Sequence, residues 1–236
     1  MNIVECKDIT KVYHQGKVEV TALNGVSLSI KKGDFVALAG PSGSGKTTML
    51  NIIGGLDEAD SGKVVVDGKV LNEMSQSEIA GLRLDKVGFV FQAYNLIPVL
   101  SALENVEFVM LLQGVPAKER RERAMEILND VGLSDKYDRR PAELSGGQQQ
   151  RVAVARAIVS NPSIVLADEP TANLDSKTGR GLLEMMREMN EKKGVTFIFS
   201  THDHMVMAFA RRLVSLRDGR IEDDQVKKGD IERHDR

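Results

Sequence analysis

One run of residues has the types and spacing needed to hold the phosphates of a nucleotide. Residues 40–47, GPSGSGKT, fit the pattern G-x-x-x-x-G-K-[ST], between an apolar run and a helical pattern. Glycines at this spacing let backbone N–H groups converge on phosphate oxygens, and the helix N-terminus adds its dipole. We expect Lys46 to reach the β- and γ-phosphates and Thr47 to place its hydroxyl on Mg²⁺.

A pair of carboxylates, Asp168 and Glu169, ends the apolar run at residues 163–167. Charges at the carboxyl end of a buried strand face the ligand crevice of an α/β fold. We therefore expect Asp168 to hold Mg²⁺, directly or through water. Glu169 is expected to accept a proton from the attacking water as a general base.

A second glycine-rich segment, residues 144–148 with the sequence LSGGQ, precedes another helical pattern at residues 149–158. Ser145 has a side chain that caps helix N-termini, and the two glycines after it leave backbone N–H groups accessible. By itself this pattern indicates a capped helix start. Together with the phosphate loop, it indicates a second anion site.

A histidine, His202, follows the apolar run at residues 195–200. A third core strand would bring it to the sheet edge that carries Lys46 and Asp168, where it could contact the γ-phosphate or orient the water. By composition alone, His204 is an equal candidate.

The elements that must position these residues alternate between short apolar strands and helical patterns, which predicts an α/β fold. Runs at residues 34–39, 163–167 and 195–200 predict central parallel strands, and the run at 18–30 predicts antiparallel strands with one exposed face. Further strands are predicted at the positions 62–67 and 87–91.

The middle of the chain lacks a strong strand signal between Leu103 and Val159. Residues 116–131 predict a helix, and Gly132 is predicted to cap it just beyond its end. Its predicted apolar face consists of Ala124, Ile127, Leu128 and Val131. We interpret residues 93–159 as a helical subdomain inserted into a core formed by 1–92 and 160–236, all within one domain.

Composition excludes several classes of protein. The 236 residues include 32 Lys and Arg against 34 Asp and Glu, so the basic excess of a general nucleic-acid binder is missing. The single cysteine, Cys6, excludes a disulfide within the chain and a cysteine metal cluster. No targeting segment is predicted, because residues 1–5 lack a charged start followed by an apolar run. No membrane span is predicted, because charges and Pro98 interrupt the apolar stretch at 96–112. Segment 223–236, which is nearly all charged or polar, is predicted to be a solvated or frayed end.

Together these motifs resemble the ATP-binding subunit of ABC transporters, in the expected order and over almost the whole chain. The resemblance implies a P-loop NTPase fold of the ABC type, with an antiparallel β subdomain and an inserted α-helical subdomain. It implies that Tyr13 stacks on adenine, that Gln92 lies at the junction of core and helical subdomain, and that His202 is the switch histidine. The ATP-binding residues implied are Tyr13, Gly40, Pro41, Ser42, Gly43, Ser44, Gly45, Lys46, Thr47 and Thr48.

The same resemblance assigns the remaining roles. ATP and Mg²⁺ are the expected ligands of this ATPase. The implied catalytic residues are Glu169, His202, Lys46 and Gln92, and the implied metal ligands are Thr47, Gln92 and Asp168. A head-to-tail homodimer with two ATP molecules between the subunits is expected. The residues that would reach ATP from the opposite subunit are Ser145, Gly146, Gly147, Gln148 and Asp175.

Within the family, the segments 91–92, 95–98, 102–106 and 144–151 resemble the branch that releases lipoproteins or exports macrolides and peptides. Thr171-Ala172, where that branch often has Thr-Gly, and Ala93-Tyr94 depart from its pattern. The resemblance implies an ATPase that drives an integral membrane permease from the cytoplasmic side, peripheral on the inner face of the membrane, with no nucleic-acid partner.

Two alternatives remain at this stage. A cell-division ATPase of the same family would regulate a membrane partner without moving a substrate. A soluble ATPase acting on ribosomes or DNA is disfavoured, because the chain has one set of motifs, no coiled coil and no basic excess. The apolar residues of segment 94–103, Leu96, Ile97, Val99 and Leu100, are predicted to receive the membrane partner.

Overall fold

Two β-sheets and seven α-helices make up the part of the chain, residues 1–16 and 18–227, that the computed structural model describes. The smaller sheet is antiparallel, in the order β2-β1-β4-β5. Its strands are β1 (Asn2–Gln15), β2 (Val18–Lys31), β4 (Ser61–Val66) and β5 (Lys69–Val70).

Strand β2 corrects the prediction of several strands at residues 18–30, because it is continuous over its whole length against β1. The pairing passes from Ile9 opposite Val26 to Lys11 opposite Leu23, and this shift in register is a β-bulge. Gly25 lies in the bulge with a φ of 68°, a conformation that glycine adopts without steric cost. The turn-like residues there therefore bend the strand without ending it.

The larger sheet has the order β10-β9-β3-β8-β7-β6. It consists of β3 (Phe35–Ala39), β6 (Val87–Val90), β7 (Ile164–Asp168), β8 (Thr196–Thr201), β9 (Arg212–Arg217) and β10 (Arg220–Val226). All neighbours are parallel except the β9–β10 hairpin. The three predicted central strands are confirmed as β3, β8 and β7, which lie side by side. Their carboxyl ends therefore share one edge.

Alternate residues of the central strands enter two separate cores. In β3, Phe35 and Ala37 join the core beneath the helices, whereas Val36 and Leu38 join the core against the antiparallel sheet. Because side chains alternate along a strand, burial on both faces requires an uninterrupted apolar run. This double burial explains the pattern that predicted these strands.

The middle of the chain is helical, as predicted. The helices are α1 (Lys46–Ile53), α2 (Gln76–Lys86), α3 (Ala102–Leu112), α4 (Ala117–Asp130), α5 (Gly146–Ile158), α6 (Ser176–Lys193) and α7 (His204–Phe209). Helices α3, α4 and α5 pack against one another. The predicted apolar face of α4 is buried, and Gly132 follows the helix with a φ of 75°. Among the described residues, no helix has both the length and the apolar character needed to span a membrane.

Residues 223–226 are exposed, as a solvated end would be, but they are not frayed, because they belong to β10 and pair with β9. Arg212 on β9 donates from Nε and Nη2 to the two carboxylate oxygens of Asp224, at 2.7 and 2.6 Å. An edge strand with exposed side chains has the same charged composition as a frayed end. Residues 228–236 lie outside the described residues.

Candidate active site

An open cavity of about 570 Å³ lies at the carboxyl end of the central strands. It is lined by Tyr13, Val20, Ala22, Pro41, Ser42, Gly43, Ser44, Gly45, Lys46, Thr47, Thr48, Gln92, Asp168, Glu169 and His202. The fold therefore brings most of the predicted ATP-binding and catalytic residues into one place, although they come from distant parts of the sequence.

The phosphate loop, residues 40–47, runs from β3 into α1 and packs closely against β9 on one side and β2 on the other. A Cβ atom on Gly40 would lie 2.1 Å from the carbonyl oxygen of Leu216, and one on Gly45 would lie 2.4 Å from that of Ala22. Both positions therefore require glycine. Gly45 also provides the N-cap of α1 without a side-chain hydrogen bond, which leaves the positive end of the helix dipole facing the cavity.

The Lys46 ammonium lies across this loop, with Nζ at 2.8 Å from the carbonyl oxygens of both Gly40 and Pro41. Burial lowers the pKa of Lys46, and the negative charges of Glu169 and Asp168 oppose that shift. The carbonyl oxygens of Gly40 and Pro41 are neutral, weak acceptors. Lys46 can exchange them for charged phosphate oxygens, which bind an ammonium more strongly.

A set of oxygen ligands stands beside the lysine. The Thr47 hydroxyl donates to Asp168 Oδ1 at 3.1 Å, across the gap between α1 and the end of β7. In the described chain no group of three or more His, Cys, Asp or Glu side chains could hold a metal. One hydroxyl and one carboxylate suit Mg²⁺, which completes its shell with water and substrate phosphates and needs no full protein cage.

Glu169 lies immediately after β7 with a φ of 44°, a rare conformation for a residue other than glycine. Its backbone N–H donates to the Ser200 carbonyl at 2.9 Å, which fixes the turn to β8. His202 Nδ1 lies 2.6 Å from Glu169 Oε1. His204 begins α7 and does not line the cavity, so the geometry distinguishes the two histidines.

Tyr13 reaches the cavity from β1, and its hydroxyl donates to Asp57 Oδ2 at 2.5 Å. The Lys11 ammonium lies 2.9 Å from Asp57 Oδ1 and 5.2 Å from the centre of the Tyr13 ring. Burial and the bond to Asp57 raise the pKa of Tyr13, so its hydroxyl remains a donor at neutral pH. The ring is therefore held in a defined orientation.

The residues predicted to act from an opposite subunit do not line this cavity in their own chain. Ser145 caps α5: its Oγ accepts from Gln148 N, and its N–H donates to Gln148 Oε1. Asp175 caps α6 by accepting from the N–H groups of Lys177 and Thr178. This arrangement leaves the capped end of α5 separate from the phosphate loop of the same chain.

Several residues of the site escaped the sequence analysis. Val20 and Ala22 line the cavity from β2, and the alternation of that strand was the signal that could have found them. Asp57, which holds Tyr13, and Thr201, which donates to Glu169 Oε2, gave no local signal. Both act through contacts between segments that are distant in the sequence.

Comparison with known families identifies the family of the chain. The family model described as ABC transporter matches residues 23–172, which include the phosphate loop, the capped segment LSGGQ and both carboxylates. The chain belongs to the ABC transporter family. It is an ATP-binding protein and an ATP hydrolase of that family, as the resemblance in the sequence implied.

Relatives of this ABC protein include two uncharacterized ABC transporter ATP-binding proteins. The one from Thermotoga maritima is 50% identical and covers 93% of this chain and 94% of its own length. The protein MJ0796 from Methanocaldococcus jannaschii is 46% identical, with 96% and 98% covered. The macrolide export ATP-binding/permease protein MacB from Syntrophobacter fumaroxidans is 48% identical over 98% of this chain, which spans only 33% of MacB. The predicted branch of the family is thereby confirmed.

Solved structures of MJ0796 have the same fold. One is a dimeric post-hydrolysis state bound to ADP and Pi, with a TM-score of 0.88 at 46% identity, covering 96% of this chain and all of that one. A second dimeric structure has a TM-score of 0.89 at 45% identity, with the same coverage. They confirm the predicted ABC ATPase fold with its antiparallel sheet and helical subdomain.

Proposed function

We propose that this ATPase powers an integral membrane permease of the macrolide-export, peptide-export or lipoprotein-release type, as an ATP-dependent head-to-tail homodimer. The observation that carries the proposal is the cavity in which Lys46, Thr47, Asp168, Glu169 and His202 converge. These side chains supply a phosphate-binding cation, oxygen ligands for a metal, a base and a movable imidazole, and all are needed for turnover.

In this mechanism, Lys46 exchanges its two carbonyl acceptors for β- and γ-phosphate oxygens, and α1 adds its N–H groups and dipole. Thr47, Asp168 and Gln92 would hold Mg²⁺, which neutralises phosphate charge when it is bound. Glu169 accepts a proton from the attacking water. His202 leaves Glu169 to contact the γ-phosphate.

The homodimer follows from the separation of two anion-binding sites, the phosphate loop and the N-terminal end of α5. The capped end of α5 lies outside the cavity that contains the phosphate loop, so a second copy is needed to bring both sites to one γ-phosphate. Ser145, Gly146, Gly147, Gln148 and Asp175 of one copy then complete the site of the other. The dimeric state of the relative MJ0796 in both of its solved structures supports this arrangement.

Loss of the γ-phosphate removes the charge that bridges the two copies. ATP and its products therefore bind the closed dimer with different affinities, and hydrolysis shifts the population toward the open form. We propose that residues 93–159 move as one helical subdomain against the core. The chain would work on the cytoplasmic face of the membrane, attached through the permease.

The permease would dock in an apolar groove of about 600 Å³ between α2, α3, α5 and the end of β6. The stacked rings of Phe89 and Phe91, 5.7 Å apart, line it together with Leu56 and Leu112. Arg156, also in the groove, donates to the carbonyl oxygens of Tyr94 and Asn95, just after Gln92. A movement of the docked permease would reach the cavity through residues 92–95, which connect Arg156 to Gln92.

This groove changes the choice of docking residues made from the sequence. None of the four apolar residues predicted in segment 94–103 lines it. Leu96 packs against the buried core instead, and its neighbour Ile97 is held by hydrogen bonds to Asn105. Substituting Leu96 would therefore disturb folding, and Leu112 is the better test because this residue is 58% exposed.

The test is an affinity purification from detergent-solubilised membranes of the source cell, with the Glu169→Gln protein, ATP and Mg²⁺ as bait. We expect an integral protein with few spanning helices and a large extracytoplasmic domain to be retained. Lys46→Ala should lose it by failing to bind ATP, and Leu112→Asp by failing to dock.

Val226→Asp, an equally simple change of an exposed aliphatic residue on β10, is the matched control and should retain the membrane protein. Recovery of ribosomal or DNA-repair proteins without a membrane protein would contradict the proposal. A membrane partner that regulates wall hydrolysis would favour the cell-division alternative.

A further inference from the structure

Thr201 is the last residue of β8, is fully buried, and directly precedes His202. Its hydroxyl oxygen accepts from the backbone N–H of Asp203 at 2.9 Å and lies 3.1 Å from Glu169 Oε2. An ionised carboxylate can only accept hydrogen bonds, so the Thr201 hydroxyl proton must point at Glu169. The Asp203 N–H thereby sets the direction in which Thr201 donates.

The other carboxylate oxygen of Glu169, Oε1, has its contacts with His202. Oε1 lies 3.1 Å from the His202 backbone nitrogen and 2.6 Å from Nδ1 of its ring. That ring is 71% exposed, whereas the Thr201 side chain is enclosed on all sides. When the His202 ring moves to a γ-phosphate, Thr201 remains as the buried side chain that donates to the carboxylate.

Thr201 is itself held by a chain of hydrogen bonds that returns to the strand end carrying Glu169. The Asp203 carboxylate accepts from the Thr171 hydroxyl at 2.7 Å and from Met205 N–H at 2.8 Å. Thr171 is buried and lies two residues after Glu169. Hydrogen bonds therefore connect the turn after β7 with the turn after β8 in a closed network that includes the Glu169 carboxylate.

We propose that Thr201 is the positioning residue for Glu169, and that it holds the carboxylate toward the attacking water while His202 moves away. The inference rests on the proposed role of Glu169 as general base. A carboxylate without this bond can rotate about its side chain, and misplacement of a catalytic group lowers turnover without weakening substrate binding. Asp203 and Thr171 do not contact the carboxylate through their side chains. Asp203 holds Thr201, and Thr171 holds Asp203.

The test compares Thr201→Val, which removes the hydroxyl at nearly constant volume, with Thr201→Ser, which keeps it. Loss of a hydrogen bond to a charged group corresponds to roughly a 10–100-fold change, so we expect kcat to fall by about that factor in the valine variant. The KM for ATP and the ATP-dependent dimer should stay within about twofold of the parent protein, and serine should restore most of the turnover.

Thr196→Val is the matched control, because Thr196 is buried in the same strand and its hydroxyl accepts from Gly33 N–H, away from the cavity. It should lower the melting temperature without changing kcat. If Thr201→Val does not fold, Thr201→Ala removes the same hydroxyl without adding a methyl group. Unchanged kcat in the valine or alanine variant, an equal loss in Thr201→Ser, or an equal loss in Thr196→Val would each overturn the inference.

A double-mutant cycle separates this inference from the function on which it rests. If Thr201 acts through Glu169, adding Thr201→Val to Glu169→Gln should cause little further loss of kcat. A full additional loss would overturn the positioning role. Normal turnover in Glu169→Gln alone would refute the general base, whereas a slow Glu169→Gln beside a normal Thr201→Val would refute only the positioning.

Discussion

Nδ1 of His202 lies 2.6 Å from Oε1 of Glu169, and the two residues differ sharply in exposure: 71% of the His202 side chain is accessible, against 15% of the Glu169 side chain. A shielded carboxylate is thus paired with a ring that solvent reaches. The pair can separate without unpacking the core, which suits an imidazole that must exchange this contact for a phosphate.

Replacing Glu169 by Gln should lower kcat by about 10²–10⁴-fold, because the amide cannot accept the proton of the attacking water. Removing the negative charge also removes repulsion of the γ-phosphate, so the variant should accumulate as an ATP-bound dimer. Turnover is measured by phosphate release and the dimer by size-exclusion chromatography with light scattering. Glu188→Gln, on the exposed surface of α6, is the control and should behave like the parent. Parent-like turnover in Glu169→Gln would disprove the assignment.

Replacing Ser145 by Arg should abolish the ATP-dependent dimer while monomeric ATP binding is kept. The bulky arginine side chain would occupy the N-terminal end of α5, which we place against the γ-phosphate of the second copy. Ser101→Arg is the matched control, because Ser101 caps α3 with the same reciprocal bonds, to Glu104. Both variants lose a cap, so both should lose about 1 kcal/mol of stability. Only Ser145→Arg should remain monomeric with ATP, and a dimer of that variant would count against the interface.

Replacing Tyr13 by Phe keeps the aromatic ring but removes its bond to Asp57. If that bond orients the ring on the adenine base, the Kd for ATP should rise roughly 3–10-fold, the range expected for one net hydrogen bond. Calorimetric titration measures the change. Tyr137→Phe provides the comparison, since its hydroxyl donates to Asn129 far from the cavity, and its affinity for ATP should not change. Equal affinities in both variants would show that Asp57 does not orient the ring.

The pairing of Asp224 with Arg212 predicts a pH-dependent contribution to stability. The hydrogen bond and charge of Arg212 lower the pKa of Asp224 in the folded protein. A lowered carboxyl pKa stabilises the fold above the unfolded pKa of about 3.9, and this contribution disappears as pH falls through the folded pKa. Asp224→Asn should therefore cost about 0.5–1 kcal/mol at pH 7, because the pair is partly exposed.

Urea unfolding at pH 7 and at pH 3 measures the difference between Asp224→Asn and the parent, which should shrink at the lower pH. Glu222→Gln serves as the control, since its ion pair with Arg217 is longer, at 3.5 Å, and more exposed. A difference for Asp224→Asn that stays constant with pH would show that the charge of Asp224 is not responsible.

Features with a local physical cause were predictable from the sequence. The apolar runs of β3, β7 and β8 reflect burial on both faces, and the spacing of glycines before Lys46 reflects backbone geometry that other residues cannot adopt. Ser145 was predictable as a helix cap because its partner, Gln148, is three residues away. The family resemblance added Tyr13, Gln92 and His202, which composition and spacing alone did not select.

Only the tertiary structure decided which side chains support those residues. The Tyr13–Asp57 bond joins residues 44 positions apart, and the Thr201–Glu169 bond joins residues 32 apart. Residues 223–226, two aspartates followed by Gln225 and Val226, form an edge strand only because Arg212 and the open side of β9 lie next to them. Sequence periodicity reports the burial of a single segment. A hydrogen bond between two turns depends on how sheets and helices pack, and no local pattern records that packing.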